Sequence, residues 1–335
     1  MGAAGTLVTG GAGFIGLAVV EQLLLAGERV VILDVLSPPA EFISYADRLP
    51  GTLRFERGDV TEPVFLTEQF ARHNPAAIVH AAAITSNAAR ERDDPFGIME
   101  VNSTGTINVL EAIRNGPSRR LVQLSTSGVY GDIANRPGFD EATVTESVLG
   151  HPTSLYAISK AAAERAVLRY GELFEMNVVC ARIGIAWGPW EYDTSVRDPL
   201  SVPLQLLRAA SSGRHAAMPR DPFKDWAYSR DIGRAVVTLL QRPDIRGQVF
   251  NIGSDWSWHA SDWAEHLAQN FENFAYSVGD SGGEGAVFID PYMDKDRQPL
   301  DVSALKKEAG FAFSFNKNKA FADYLSWAAE FSIWR

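Results

Sequence analysis

Tyr156-Ala157-Ile158-Ser159-Lys160 sets a phenol and an ammonium four residues apart. On a helix the two would share one face, a single turn apart. A free tyrosine gives up its proton near ~10. A neighbouring ammonium favours the phenolate and lowers that value. Such a phenol can take the proton of a carbinol as hydride leaves, or return it to a carbonyl. A Tyr–Lys pair on a helix is more often structural than catalytic, so its meaning depends on its company. A second hydroxyl donor is expected beside it. Ser125-Thr126-Ser127 supplies one at the end of the apolar run Leu121 to Ser125.

Hydride chemistry also needs a cofactor, and the first twenty residues hold a site for one. Thr6 to Thr9 reads as a strand and Leu17 to Ala26 as a helix stopped by Gly27. Between them lies Gly10-Gly11-Ala12-Gly13-Phe14-Ile15-Gly16. Gly10 permits the turn, Gly13 lets backbone approach a pyrophosphate, and Gly16 allows close helix–strand packing. The helix start offers N–H groups and a partial positive charge to phosphate. Asp34 ends the next strand, Arg29 to Asp34. An acid there binds an adenosine ribose and repels a 2'-phosphate. No Lys or Arg follows in Val35-Leu36-Ser37-Pro38, so NAD is favoured over NADP. Asp59, after the third strand, is placed to receive the adenine amine.

The elements around these residues alternate strand and helix. Strands are expected at Leu53–Phe55, Ala76–Ala83, Leu121–Ser125, Asn177–Ile185 and Gln248–Ile252. Helices are expected at Val101–Arg114, Ser154–Tyr170, Pro203–Ser211, Asp231–Leu240, Ser261–Phe271 and Lys319–Phe331. This alternation gives an α/β fold, a Rossmann-type doubly wound parallel sheet with helices on both faces. A smaller C-terminal α/β cap is expected to bind substrate. The expected division is 1–185 plus 229–253 for the NAD-binding domain and 186–228 plus 254–335 for a discontinuous cap.

Composition narrows the partners. With 41 acidic against 31 basic residues the formal net charge is -10, which disfavours nucleic acid and anionic membrane. No apolar run approaches the ~20 residues of a membrane helix. The start of the chain lacks a basic stretch before an apolar one, so no signal peptide is expected. One cysteine, Cys180, excludes an internal disulfide and fits a reducing, cytoplasmic setting. It reads as a packed strand residue. The histidines lack metal spacing, since His259 and His266 stand seven apart, so no metal is expected.

The loop motif, Asp59-Val60, His80-Ala81-Ala82-Ala83, Asn102-Ser103-Thr104-Gly105-Thr106, Ser125 to Gly131 and Tyr156 to Lys160 occur in order. Together they resemble the successive motifs of extended short-chain dehydrogenases/reductases, most closely the NAD-dependent epimerase/dehydratase family. Gly188-Pro189, Lys224 to Asp231, Val249 to Gly253 and Asp301-Val302-Ser303 extend the resemblance over nearly the whole chain. It implies a tightly held NAD and a cap for a small polar substrate, often a nucleotide sugar. It makes Thr126 the catalytic hydroxyl and Tyr156 and Lys160 the proton-transfer pair. Phe14, Ile15, Val60 and Ala81 to Ala83 would border the cofactor, and Asn102 would support its site. Thr85, Ser86, Lys224 and Arg297 would face the substrate. A homodimer through helices 102–114 and 154–170 is also implied.

The departures from the pattern are informative. The family's 4,6-dehydratases carry an Asp-Glu pair after the catalytic Thr, for removing water. Here those places hold Ser127 and Gly128, so sugar dehydration is not expected. The Asn usual three residues after the strand Arg is Ile185, counting from Arg182. The Arg usual before Asp-Phe or Asp-Tyr is Lys224, which lacks the bidentate fork. The leading expectation is an epimerase of a nucleotide sugar. The alternative is a net dehydrogenase of a free sugar, sugar acid or related hydroxy compound, favoured by Ile185. A non-catalytic NAD-binding regulator would need no proton relay.

Overall fold

A computed structural model describes residues 5–114, 116, 119–133, 139, 141–194, 199–279, 283–291, 296 and 298–335. The first half follows the expected alternation: β1 (Thr6–Thr9), α1 (Phe14–Leu25), β2 (Arg29–Asp34), α2 (Ala40–Ala46), β3 (Thr52–Arg57), α3 (Pro63–His73) and β4 (Ala77–His80). Two short helices, α4 (Ala88–Asp93) and α5 (Pro95–Met99), lead through a π-turn at Glu100–Thr104 into α6 (Gly105–Arg114). Then come β5 (Arg120–Thr126), a 3-10 turn at Ser127–Tyr130, α7 (Leu155–Leu173) and β6 (Asn177–Ile183). The remainder is β7 (Ala186–Trp187), α8 (Val202–Ser211), β8 (Ala216–Met218), β9 (Phe223–Lys224), β10 (Ala227–Tyr228), α9 (Ser229–Leu240), β11 (Gln248–Ile252), β12 (Trp258–His259), α10 (Ala260–Asn270), β13 (Tyr276–Val278), β14 (Val287–Phe288), α11 (Ser303–Lys307) and α12 (Lys317–Glu330).

Seven strands form one sheet in the order β11-β6-β5-β4-β1-β2-β3, and every pairing is parallel. Val, Ile and Leu fill its strands because helices cover both faces, as in Val30-Val31-Ile32-Leu33 and Val178-Val179-Cys180. The direction of winding reverses between β1 and β4. Ligands of such sheets bind beyond the strand ends at that point. Gly10, Ala81 and, one strand further, Thr126 all stand there.

Strand order alone brings together residues far apart in the chain, and two close contacts set the spacing. Gly10 has φ +65°, and a Cβ on it would lie 2.4 Å from the Ala82 backbone nitrogen. A Cβ on Gly16 would lie 2.1 Å from the Gly10 carbonyl oxygen. The turn, α1 and the end of β4 therefore meet only through residues without bulk.

The remaining elements pack around a cluster of tryptophans. Trp187 lies edge-on to Trp258, with ring centres 5.2 Å apart, and Trp226 lies 5.4 Å from Trp258. All three are fully buried. Trp187, Trp190 and Trp226 thus serve packing, the use expected most often of buried indoles. Among the described residues no helix is long and apolar enough to cross a membrane.

Expected elements differ in extent at their ends, and three of these differences bear on the site. Ala76–Ala83 and Asn177–Ile185 pair as strands only over Ala77–His80 and Asn177–Ile183. Their apolar runs continue past the sheet because the next residues line a cleft. The helix expected over Val101–Arg114 opens with a π-turn, where the buried Asn102 carboxamide bonds to other segments.

Candidate active site

Helix α7 is capped by Ser154, whose Oγ accepts the Ala157 N–H at 3.1 Å. Tyr156 follows half-buried, and Lys160 comes one turn later, only 3% exposed. Both line a cleft of about 460 Å³ at the sheet's C-terminal edge. Gly10, Gly13, Phe14, Ile15 and Gly16 form one end of it. Ala81 and Ala83 border the middle, facing Thr126 of β5. Thr85, Ser86, Ser127, Thr153, Thr194 and Ser201 make the other end rich in hydroxyls. The expected catalytic trio, Thr126, Tyr156 and Lys160, therefore opens onto one space.

The electrostatics centre on Lys160. Burial pushes its pKa down to about 8, with Cys180 and Glu164 acting the other way. Glu164, one turn further along α7, accepts Arg182 Nη2 at 2.6 Å and Nε at 3.0 Å, and Ser125 Oγ at 2.7 Å. Burial alone would lower the Arg182 pKa, but Glu164 outweighs this and raises it. Arg182 Nη1 also donates to Tyr130 Oη at 2.9 Å, and Tyr130 donates to Asn251 Oδ1 at 2.7 Å. One buried ion pair thus joins α7, β5, β6 and the turn after Thr126.

A second buried chain joins the cofactor end to the catalytic helix. Thr106 Oγ1 donates to the Asn102 carbonyl at 2.7 Å, so it accepts from His80 Nε2 at 3.0 Å. His80 Nδ1 is then the acceptor for Thr9 Oγ1 at 2.6 Å. Burial, helped by the Lys160 charge, holds His80 neutral with its pKa near 3. Asn102 Nδ2 donates to Ser159 Oγ at 3.0 Å and to the Ile84 carbonyl at 3.0 Å. Its Oδ1 accepts the Ile84 N–H at 2.8 Å. Asn102 does not line the cleft; it fixes the segment after β4 against α7.

The other expected residues divide by position. Asp34 accepts the Ala12 and Leu36 N–H groups at 2.9 and 3.0 Å, and burial raises its pKa. Asp59 accepts the Thr61 N–H at 2.9 Å. Val60 is buried under α6, where a Cβ on Gly105 would strike its Cγ2. Lys224 is absent from the cleft lining. It is buried, pairs with Trp258 across β9 and β12, and donates to the Pro291 carbonyl at 3.2 Å. Arg297 lies outside the described residues. Cys180 is buried as expected of a packing residue, and burial raises its pKa.

A model of the family described as NAD dependent epimerase/dehydratase matches residues 6–253. The chain belongs to this family. It is therefore an NAD-dependent enzyme, and the cleft fits that cofactor. A Cβ on Gly13 would meet only the Gly10 carbonyl, at 3.4 Å, so the loop is open where a pyrophosphate would lie. Among relatives in the family, a dTDP-glucose 4,6-dehydratase of Shigella flexneri is 32% identical over 269 residues, 74% of this chain and 71% of the relative. Another, of Xanthomonas campestris, is 25% identical over 98% of this chain and 94% of its own. Among solved structures, the dTDP-glucose 4,6-dehydratase of Bacillus anthracis in complex with NAD has a TM-score of 0.77 at 21% identity, covering 99% and 98%. The UDP-glucose 4-epimerase of Thermotoga maritima with UDP-glucose has a TM-score of 0.78 at 22% identity, covering 97% and 98%. Both share the fold.

Sequence reasoning missed the Glu164–Arg182 pair, although Glu164 four residues after Lys160 was a legible sign. It also missed Glu91, which accepts Ser86 Oγ at 3.3 Å and the Tyr156 N–H at 3.4 Å. Nothing in the sequence brings α4 to the start of α7.

Lys160 yields a test of the electrostatics. A fall from 10.5 to about 8 corresponds to about 3 kcal/mol of strain on the charged form. Below pH 8 the folded protein bears that cost, and it fades as pH rises toward 10.5. Lys160→Met should therefore melt higher than the wild type at pH 7, with the gap closing between pH 8 and 10.5. A gap that does not depend on pH would show that the ammonium is not strained.

Proposed function

We propose that the protein is a nucleotide-sugar epimerase that oxidises one carbinol and re-reduces it on the opposite face. The observation that carries this reading is the pair of residues after Thr126. Ser127 and Gly128 both line the cleft, and neither supplies the carboxyl group that acid–base removal of water would use. The oxidation machinery of Thr126, Tyr156 and Lys160 is complete beside them. The names of the relatives support a nucleotide-linked hexose as substrate. The hydroxyl-rich end of the cleft suits its sugar ring.

NAD supplies the hydride acceptor and donor when bound. Gly10 to Gly16 would hold its pyrophosphate and Asp34 its adenosine ribose. The Lys160 ammonium favours the Tyr156 phenolate. The phenolate takes the proton from the carbinol oxygen, and Thr126 Oγ1 bonds to the same oxygen. The ketone turns in the hydroxyl-rich end, and Tyr156 then gives the proton back. Atoms balance over the cycle, with neither water nor a net electron pair lost. Arg297 is assigned to the substrate, as the family resemblance implies, and Lys224, buried over Trp226, to packing. The cap is assigned residues 186–228 and 254–335, and the enzyme is assigned to the cytoplasm.

A second reading rests on Ile185. It lines the cleft where relatives of this type carry an amide, and an apolar side chain gives a pyrophosphate no hydrogen bond. A net dehydrogenase of a free sugar or sugar acid would not need that bond.

Two outcomes are expected. On the best substrate from a panel of nucleotide sugars, free sugars and sugar acids, Tyr156→Phe should lower turnover by roughly a hundred- to ten-thousand-fold. NAD affinity and melting temperature should hardly change, and near-wild-type turnover would refute the proton-transfer role. The protein should also sediment as a dimer at micromolar concentration. Helices α6 and α7 lie side by side, and Ile158 and Ala162 of α7 point outward. A monomer would exclude that pairing.

A further inference from the structure

The segment after β7 reaches back over the phosphate loop. Tyr192 Oη donates to the Ala12 carbonyl at 2.7 Å, joining residues 180 positions apart. The N–H of the same Ala12 donates to Asp34 Oδ2 at 2.9 Å. Ala12 is thus gripped from both sides, by the ribose-binding acid and by a residue from beyond the sheet. Burial and the charge of Asp34 push the Tyr192 pKa up to about 12, so its hydroxyl stays a donor at any ordinary pH.

The grip is rigidly mounted. Trp190 has φ +70°, a conformation that a residue with a side chain keeps only where its surroundings impose it. Those surroundings are Phe42, with ring centres 4.8 Å apart, Phe331 at 4.8 Å and Trp327 at 5.5 Å. Glu191 is fully buried, and its carboxylate accepts both the N–H and the hydroxyl of Ser201, at 2.8 and 2.5 Å. Thr194 and Ser201 line the substrate end of the cleft. Residues from this part of the chain therefore hold the cofactor loop through Tyr192 and line the cleft through Thr194 and Ser201.

We propose that Tyr192 is a cofactor-retaining clasp: its bond to Ala12 pins the phosphate loop around NAD, so the cofactor stays bound from one turnover to the next. The proposal rests on the reading of the enzyme as an epimerase, which recycles its cofactor and gains nothing from releasing it. Retention then follows from a contact made by this chain's own loop.

The test is the rate of cofactor release from the full-length protein. Enzyme loaded with NADH is mixed with excess NAD, and the loss of bound NADH fluorescence is followed. Tyr192→Phe removes only the hydroxyl, and should speed release by roughly five- to tenfold, the worth of one buried hydrogen bond. Its melting temperature should fall by no more than a few degrees, because Trp190 remains seated. Tyr192→Ala should release faster still; if it fails to fold, Tyr192→Phe still decides the matter. Equal release from wild type and Tyr192→Phe would overturn the clasp while leaving the epimerase reading intact. Rapid release from both, together with net NADH formation on substrate, would overturn the epimerase reading and the clasp with it.

Discussion

The site is built around a buried cation. Lys160 is held in the interior, where its charge is costly: burial lowers its pKa to about 8, and Glu164, one turn away and held in place by Arg182, only partly offsets this. An unpaired ammonium at that depth would tend to shed its proton, and a neutral lysine could not favour a phenolate. The carboxylate needs its own compensation, and the bidentate guanidinium with the Ser125 hydroxyl supplies it. Since Ser125 precedes Thr126 and Tyr130 receives the far side of Arg182, the same ion pair aligns both walls of the cleft. Breaking a buried pair of this kind by removing one partner typically costs ~3–5 kcal/mol. The network is therefore a constraint on the whole sheet edge, not a local ornament of α7.

The cofactor end depends on the opposite device, the removal of bulk. Gly10 and Gly16 let β4 and α1 approach the turn, and Ala82 offers only backbone at the contact. Polar groups trapped beneath are satisfied in sequence from Thr9 through His80 and Thr106 to Asn102. His80 is neutral and keeps one tautomer, so it works as a fixed strut between the phosphate loop and the helix that carries Asn102.

Much of this was legible before the fold was known. The strands Thr6–Thr9, Arg29–Asp34 and Gln248–Ile252 follow from β-rich apolar runs with glycine or acid punctuation. The Gly-rich turn and the Tyr156–Lys160 spacing carried the chemistry. What stayed hidden arises from long-range contact. Helix α3 was not foreseen, although Pro63 at its start and the buried Leu66 and Phe70 give it an apolar stripe. The π-turn at Glu100–Thr104 answers to hydrogen bonds with Ile84 and Ser159, which no local propensity encodes. Lys224 was expected to face substrate because of its charge, yet β9 turns it inward over Trp226, with 5.4 Å between its Nζ and the ring centre. Tyr192 gave no sign at all, since its partner Ala12 stands 180 residues earlier in the chain.

Curated relatives named above are dTDP-glucose 4,6-dehydratases, while Ser127 and Gly128 after Thr126 carry no carboxyl group. Fold and cofactor follow the family, but the reaction follows the side chains at the cleft. The measurement that bears most directly on this is the mass of the product formed from a nucleotide hexose deuterated at the reacting carbon. The account predicts a product of unchanged mass that keeps its deuterium, because oxidation and re-reduction occur around one retained cofactor. A product lighter by one water would contradict it, and so would a ketone or acid released with its deuterium left on free NADH.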